Sequence, residues 1–278
     1  FKHREIEGKI KTCTLKRDST GCWYAVLVAE TPDVLARAPN STIIAIGIDL
    51  GTRRLKDPAT GKVVGRLATI SNGKEILYPR FFVEAEEKRK VAQQALSRKK
   101  LGSKNREKAR VKLAKIHKII RNQRNDFLHK ETRKLVNLAD FIFFEQLQIN
   151  GLSRARNRAK DMHDHALRRF VQFTTYKAER AGGSVDFVIP RGTTKKCSIC
   201  DLSIKIRPGD TIHQCPKCGL SLSRDHVAAI NILYRGLDVR DISLRAEDYI
   251  YIKEDGTLGL RDGACIDLAD YYWHAGSL

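Results

Sequence analysis

The chain has 278 residues, 42% of them apolar, enough for one large domain or two modest ones with an ordinary core. Its 52 lysines and arginines against 32 acids leave a net charge of +20, a self-repelling surplus useful mainly against phosphate or anionic lipid. No apolar run approaches the roughly 20 residues of a membrane span, so the expected partner is nucleic acid and not a membrane.

Phe1 stands where a methionine would, and the opening residues read as mid-domain strands. They predict the later part of a longer protein or a naturally shortened copy. Gly8 to Lys11 and Trp23 to Val28 alternate apolar and polar residues around Asp18-Ser19-Thr20-Gly21, which predicts a β-hairpin. Residues 31–41 read as a linker. The dense apolar run Ile43 to Ile48 suits a strand buried on both faces, and it delivers Asp49 at its end. Leu67 to Ser71 and Glu75 to Arg80 are two further strands about an Asn72-Gly73 turn. The segment between them and Asp49, 52–66, is a longer loop than such a sheet requires.

Glu84 to Asn137 is expected to be helical with one break at Gly102, and Leu113, Ile116, Ile120 and Phe127 recur at helix spacing. Residues 88–134 carry 18 lysines and arginines against 3 acids, so this stretch holds 15 of the 20 net charges. A charged helical face is ordinarily a solvated surface. One-signed charge at this density points instead to phosphate contacts, with Arg98, Lys99, Lys100, Lys104, Arg106, Arg110, Lys118, Arg121 and Arg124 as candidates. Phe141 to Phe144 is another buried strand, ending at Glu145. A polar helical stretch with Arg154, Arg156, Arg158, Arg168 and Arg169 follows, then a strand over Val185 to Ile189 that stops at Pro190. A helix runs from Asp225 to Arg235. Beyond Gly236 the chain turns acidic and aromatic, and the sequence assigns that tail no role.

Asp49 and Glu145 each end an apolar strand, and Asp225 opens a helix. Charge is costly there unless it is paired or binds a cation. Each has a plain reading: a turn residue before Gly51, a strand-edge charge paired with an arginine, and a helix N-cap. Together they form a catalytic set able to hold two Mg²⁺ ions about 4 Å apart, one activating water and the other stabilising the leaving 3′ oxygen of a phosphodiester.

Seven cysteines do not make a disulfide scaffold, and a reducing, cytoplasmic setting is expected. Cys13, Cys22 and Cys265 are scattered. Cys197/Cys200 and Cys215/Cys218 are two Cys-x-x-Cys pairs 14 residues apart, close to four-cysteine zinc spacing. Four thiolates close a tetrahedron, so this zinc would be structural; a redox pair is the rival reading. Lys195 and Lys196, with Lys205, Arg207 and Lys217, make the knuckle positive and suggest a clamp on nucleic acid, against a bare staple. His213 and His226 are surplus as ligands.

The order of these pieces resembles the TnpB (OrfB) family of transposon-encoded RNA-guided DNA endonucleases, relatives of type V CRISPR effectors. The matching stretches are Gly47-Ile48-Asp49-Leu50-Gly51, Leu96-Ser97-Arg98-Lys99-Lys100, Gln123 to Lys130, the strand ending at Glu145, and Thr194 through Cys218 to Asn231. The resemblance covers about residues 1–235. It implies an α/β fold: a ribonuclease H-like (RuvC-type) split nuclease core with Asp49, Glu145 and Asp225 as its catalytic acids. It also implies guide RNA and target DNA as partners, structural Zn²⁺ and catalytic Mg²⁺ as cofactors, and a nucleoid-associated protein. The corresponding parts are the terminal hairpin of a β wedge (1–40), core part I (41–83), a basic helical hairpin (84–138), core part II (139–194), the zinc ribbon (195–221), core part III (222–237) and the tail (238–278). This sequence departs from the family in its short front, in the apparent insertion at 52–66, in Gln146 after the glutamate, and in Leu202, near where glycine is common.

Two rivals come from other classes. Ile46 to Thr52 also resembles the first phosphate loop of the actin and heat-shock ATPase superfamily, but the charge, the cysteine pairs and the lack of a second glycine-rich loop tell against it. The other is a guided nucleic-acid-binding protein that does not cut.

Overall fold

The computed structural model describes residues 6, 8–30, 42–57, 59–146, 167–207 and 209–240, and three short strands within 250–267. The chain forms two compact units, Phe1–Leu35 with Phe81–Phe127 and Ala36–Arg80 with Leu128–Leu278. The expected linker at 31–41 and the arginines at 154, 156 and 158 lie outside the described residues. Among the described residues no helix is long and apolar enough to cross a membrane.

In the first unit, β1 (Lys9–Arg17) pairs antiparallel with β2 (Trp23–Glu30). Asp18 closes the turn by accepting the N–H groups of Thr20 at 2.8 Å and Cys22 at 3.1 Å, and Gly21 supplies a φ of +90°. The helical stretch begins with the short α1 (Phe81–Glu84) and continues as α2 (Glu86–Ser97) and α3 (Lys104–Leu138), of which the residues up to Phe127 belong to this unit. Gly102, at φ +76°, makes the break between the long helices. Arg106 fastens it by donating to the carbonyls of Leu96 and Lys99 at 3.2 and 3.0 Å. At 1.5 Å per residue α3 is about 52 Å long. Leu113 and Ile120 are buried, Ile116 and Phe127 half-buried, and the Phe127 ring stands edge-on to Phe81.

The second unit is built on β3 (Thr42–Leu50), whose β-branched run favours the pleat over a helix. Its sheet has the order β4 (Arg54–Lys56), β5 (Val63–Ile70), β3, β7 (Phe141–Glu145), β8 (Ser184–Val188), with β6 (Glu75–Tyr78) also on β5. β3, β7 and β8 are parallel, and β5 runs antiparallel to β3. The segment read as an oversized loop therefore belongs to the sheet: Arg54–Lys56 pairs with Val63–Gly65 as an extension of the hairpin. α4 (Leu167–Arg180) packs Phe170 edge-on to Phe144. Its buried Lys177 donates to the His129 carbonyl and the Thr132 hydroxyl at 2.7 Å each.

β9 (Ile212–Gln214) and β10 (Ser221–Ser223) form a small ribbon in the cysteine segment. α5 (Arg224–Val239) then lies across the sheet, burying Ile230, Leu233 and Leu237 against Ala45, Phe141, Phe143 and Val188. Each such side chain, fully buried, contributes about 1.5–3 kcal/mol. Gly47 lets the helix approach: a Cβ there would lie 2.2 Å from the Ala229 carbonyl oxygen. In the tail, β11 (Ile250–Ile252) pairs with β12 (Leu258–Leu260), and β13 (Ala264–Asp267) pairs with the first half of β3.

Candidate active site

One backbone register brings the strand acids together. β3 and β7 run parallel with Ile48 opposite Phe144, so the next residues, Asp49 and Glu145, leave adjacent strands at the same end. Asp225 sits in the first turn of α5, which crosses that end of β3. Ser223 occupies the N-cap position, so Asp225 is not the cap, and its carboxylate is free to face the sheet. Its side chain is only 4% exposed.

The counter-charge comes from a residue that local sequence alone places in a loop. Arg66 is buried, its side chain 5% exposed. Its Nη1 donates to Asp225 Oδ2 and lies 4.0 Å from Glu75 Oε1; its Nη2 lies 3.9 Å from Asp49 Oδ2. Arg53 at 3.8 Å and Arg224 at 3.5 Å add further positive charge around Asp225. Regular alternation would turn Arg66 to the face opposite Thr69, which pairs with Asp49. A bulge opposes Arg66 to Leu77 and Ala68 to Ile76, leaving Leu67 as the extra residue, and this carries Arg66 onto the Asp49 face.

The three carboxyls differ in character. Burial pushes Asp49 up to about 8, against the opposing pull of Arg66, and the neighbouring Asp225 and Glu145 charges add to the rise. Burial also raises Glu145, although Thr193 Oγ1 donates to its Oε2 at 3.0 Å. For Asp225 burial acts upward too, but the Arg66 hydrogen bond and charge outweigh it and hold the carboxyl below its ordinary value. Carboxylate oxygens are hard donors, and the upward push that Asp225 and Glu145 exert on Asp49 is what a divalent cation such as Mg²⁺ would relieve. The carboxylates do not gather as tightly as the cysteines, the Arg66 guanidinium being set against both Asp49 and Asp225.

The thiol sulfurs of Cys197, Cys200, Cys215 and Cys218 all lie within 4.8 Å of one another. Each knuckle is a tight turn: Asp201 N–H bonds the Cys197 carbonyl at 3.1 Å, and Gly219 N–H bonds that of Cys215 at 3.0 Å. Asp201 adopts φ 59° where the second knuckle has Gly219 at φ +77°. An aspartate tolerates that region, which accounts for a first knuckle without glycine, followed by Leu202. Backbone hydrogen bonding from Cys218 holds the Cys215 thiol down to about 6, while burial pushes Cys197 up to about 12. Four clustered thiols of this kind are a donor set for zinc. Cys197, Cys215 and Leu220 pack on Val227 of α5, and Asn231 donates to the carbonyls of Thr193 and Lys196 at 2.7 and 2.8 Å. The knuckle is thus fastened to the helix that carries Asp225. His226 Nε2 donates to the Ser71 carbonyl at 2.9 Å and is no part of the thiol cluster.

The basic candidates divide by their partners. Arg106 is committed to the α2–α3 connection. Lys118 bonds Asp18 at 2.8 Å and also Tyr24, and Arg110 bonds Glu107 and the Ser19 carbonyl. Arg98, Lys99, Lys100, Lys104 and Arg121 are exposed; Arg124 is half-buried. Lys195 and Lys196 are exposed on the knuckle, Lys196 lying 3.5 Å from Asp201. The sequence reading did not single out Lys108, Lys112 and Lys115. With Lys104 they recur at intervals of four, four and three residues and are all exposed, one stripe about 16 Å long on α3. That spacing was visible without the fold.

Two family models match the chain: one described as "Probable transposase" (OrfB_IS605) over residues 25–156, and the Cas12f1-like TNB domain over residues 168–232. A candidate RNA-guided DNA endonuclease of Streptomyces pristinaespiralis is 32% identical over 228 residues, 81% of this chain and 53% of that protein. InsQ of Escherichia coli K12, described in the same words, is 29% identical over 252 residues, 84% of this chain and 58% of that protein. A TnpB-like protein of Acanthamoeba polyphaga mimivirus is 30% identical over 234 residues, 82% of this chain and 44% of that protein. The chain spans about half the length of the curated relatives it matches. Two family models matched in succession, and relatives aligned over four fifths of the sequence, identify it: the chain belongs to the TnpB (OrfB) family.

Proposed function

We propose that this chain carries the nuclease centre of a transposon-associated, RNA-guided DNA endonuclease, on a ribonuclease H-like (RuvC-type) core. The observation that carries this reading is the convergence of Asp49 and Glu145, at the same end of adjacent parallel strands, with Asp225 on the helix crossing that end. Mg²⁺ held by these three acids would supply activation of a water and stabilisation of the leaving 3′ oxygen of a phosphodiester. The chain's own groups set the stage for it. Thr193 fixes one oxygen of Glu145, Gly47 sets the distance between α5 and β3, and the cysteine knuckle anchors the far side of α5. The exposed lysine stripe of α3 and the lysines of the knuckle are the proposed grip on guide RNA and target DNA, where backbone charge supplies affinity independent of sequence.

A specific observation favours a second reading. The hydrogen bond of Arg66 to Asp225 is what a protein that binds nucleic acid without cutting it would retain. Purifying the chain with its co-expressed RNA, and presenting a randomised DNA library with Mg²⁺, separates the two. Cut ends beside one short motif support the nuclease. Retained binding with no cut ends, from zinc-loaded protein, supports the second reading.

A further inference from the structure

We propose that Arg66 is a resident counter-ion of the carboxylate centre, which a divalent cation must displace to load, so that this residue sets the metal affinity of the site. The inference rests on the reading of Asp49, Glu145 and Asp225 as the metal ligands. Three observations carry it. The guanidinium sits against two of the acids that would hold a metal: Nη1 donates to Asp225 Oδ2, and Nη2 lies 3.9 Å from Asp49 Oδ2. A guanidinium held against these oxygens puts a positive charge beside the place a metal ion would take, and the two cations repel. Next, Gly51 makes room for the charged head: a Cβ at that position would lie 2.6 Å from Nη2. Gly51 lies outside the left-handed region, so no turn demands glycine there, and the space it leaves is filled by Arg66. Finally, the buried Nε of Arg66 has no hydrogen-bond partner among the described residues. A buried cation left partly unsatisfied is weakly retained compared with a fully bonded one.

A purely structural arginine and a resident counter-ion predict opposite results. If Arg66 only shaped the carboxylates, its loss would weaken metal binding. If it competes, its loss tightens binding, because a unit positive charge within about 4 Å of the incoming cation opposes it by more than a factor of ten even at an effective dielectric near 20.

The test is Mn²⁺ binding to the full, zinc-loaded chain, read from the electron paramagnetic resonance of free Mn²⁺, in wild type, Arg66→Gln, Gly51→Ala and Asp225→Asn. The expected result is a dissociation constant about tenfold or more lower for Arg66→Gln. A smaller change in the same direction is expected for Gly51→Ala, whose methyl pushes the guanidinium aside while keeping every charge. Asp225→Asn should lose the site. Equal or weaker binding by Arg66→Gln, with Asp225→Asn still losing the site, overturns the counter-ion and leaves the metal centre standing. Mn²⁺ binding indifferent to Asp225→Asn overturns the metal centre itself. Should Arg66→Gln fail to fold even in excess Mn²⁺, Gly51→Ala decides: no gain in affinity there overturns the proposal.

Discussion

Replacing Gly47 with alanine would set a methyl group 2.2 Å from the Ala229 carbonyl oxygen and 2.4 Å from the Leu233 amide nitrogen. Ordinary van der Waals contact begins near 3.4 Å, so α5 would have to move off β3 by about 1 Å. Both obstructing atoms are backbone and cannot rotate away, so the strain belongs near the top of the usual overpacking range, about 3 kcal/mol. For a unit of this size that corresponds to a fall in Tm of roughly 6–12 °C. Calorimetry and urea titration of the zinc-loaded protein should agree on that loss, with the urea m value unchanged. The same displacement carries Asp225 away from Asp49, and a misplacement of about 1 Å costs on the order of a hundredfold in rate. A Tm within about 1 °C of wild type would refute the packing of α5 on β3 and the assembly of the carboxylates that depends on it.

Three other outcomes follow from the structure. Cys215→Ser should release the metal of the thiol cluster and lower the melting temperature, since a structural zinc contributes folding energy directly; unchanged zinc content by elemental analysis would sink the assignment. Hydrogen bonding from Lys118 holds the Asp18 carboxyl well below its ordinary range. Its folded pKa lies below the unfolded value near 3.9, so the stabilisation is present above that pH and lost as pH falls below it. Protection factors of the amides in the β1–β2 turn, exchange rates corrected for the intrinsic effect of pH, should therefore fall on acidification in wild type but not in Asp18→Asn, and matching profiles would remove Asp18 as the cause. Lys108→Ala and Lys112→Ala should each flatten the dependence of nucleic-acid affinity on salt by about one unit of logarithmic slope, whereas an unaltered slope would take that face of α3 out of the interface.

What the sequence made legible was whatever is written locally. The apolar runs announced β3 and β7 and the acids at their ends, Gly102 announced the break between α2 and α3, and the cysteine spacing announced a four-thiol cluster. Arg66 was not legible, because strand alternation assigns it to the wrong face and only the bulge at Leu67 reverses it. A bulge depends on the partner strand, and nothing in 63–70 declares it. Residues 52–66 looked like surplus loop for the same reason, since Arg54–Lys56 is short and becomes a strand only by pairing with Val63–Gly65. The pairing of Ala264–Asp267 with β3 spans more than 200 residues of chain and leaves no local trace. Lys118 looked like one more phosphate contact in a basic helix, yet it is bonded to Asp18, 100 residues earlier.

The central claim is that Asp49, Glu145 and Asp225 form one metal-dependent nuclease centre. Glu145→Gln tests it most directly, because the substitution keeps the shape of the side chain and a hydrogen-bonding oxygen for Thr193 while removing the charge. With co-purified RNA, matched target DNA and Mg²⁺, the variant should bind DNA with wild-type affinity and cut it at least a hundredfold more slowly, on the order expected for removing one ligand of a catalytic metal. Cleavage by Glu145→Gln at the wild-type rate would contradict the account.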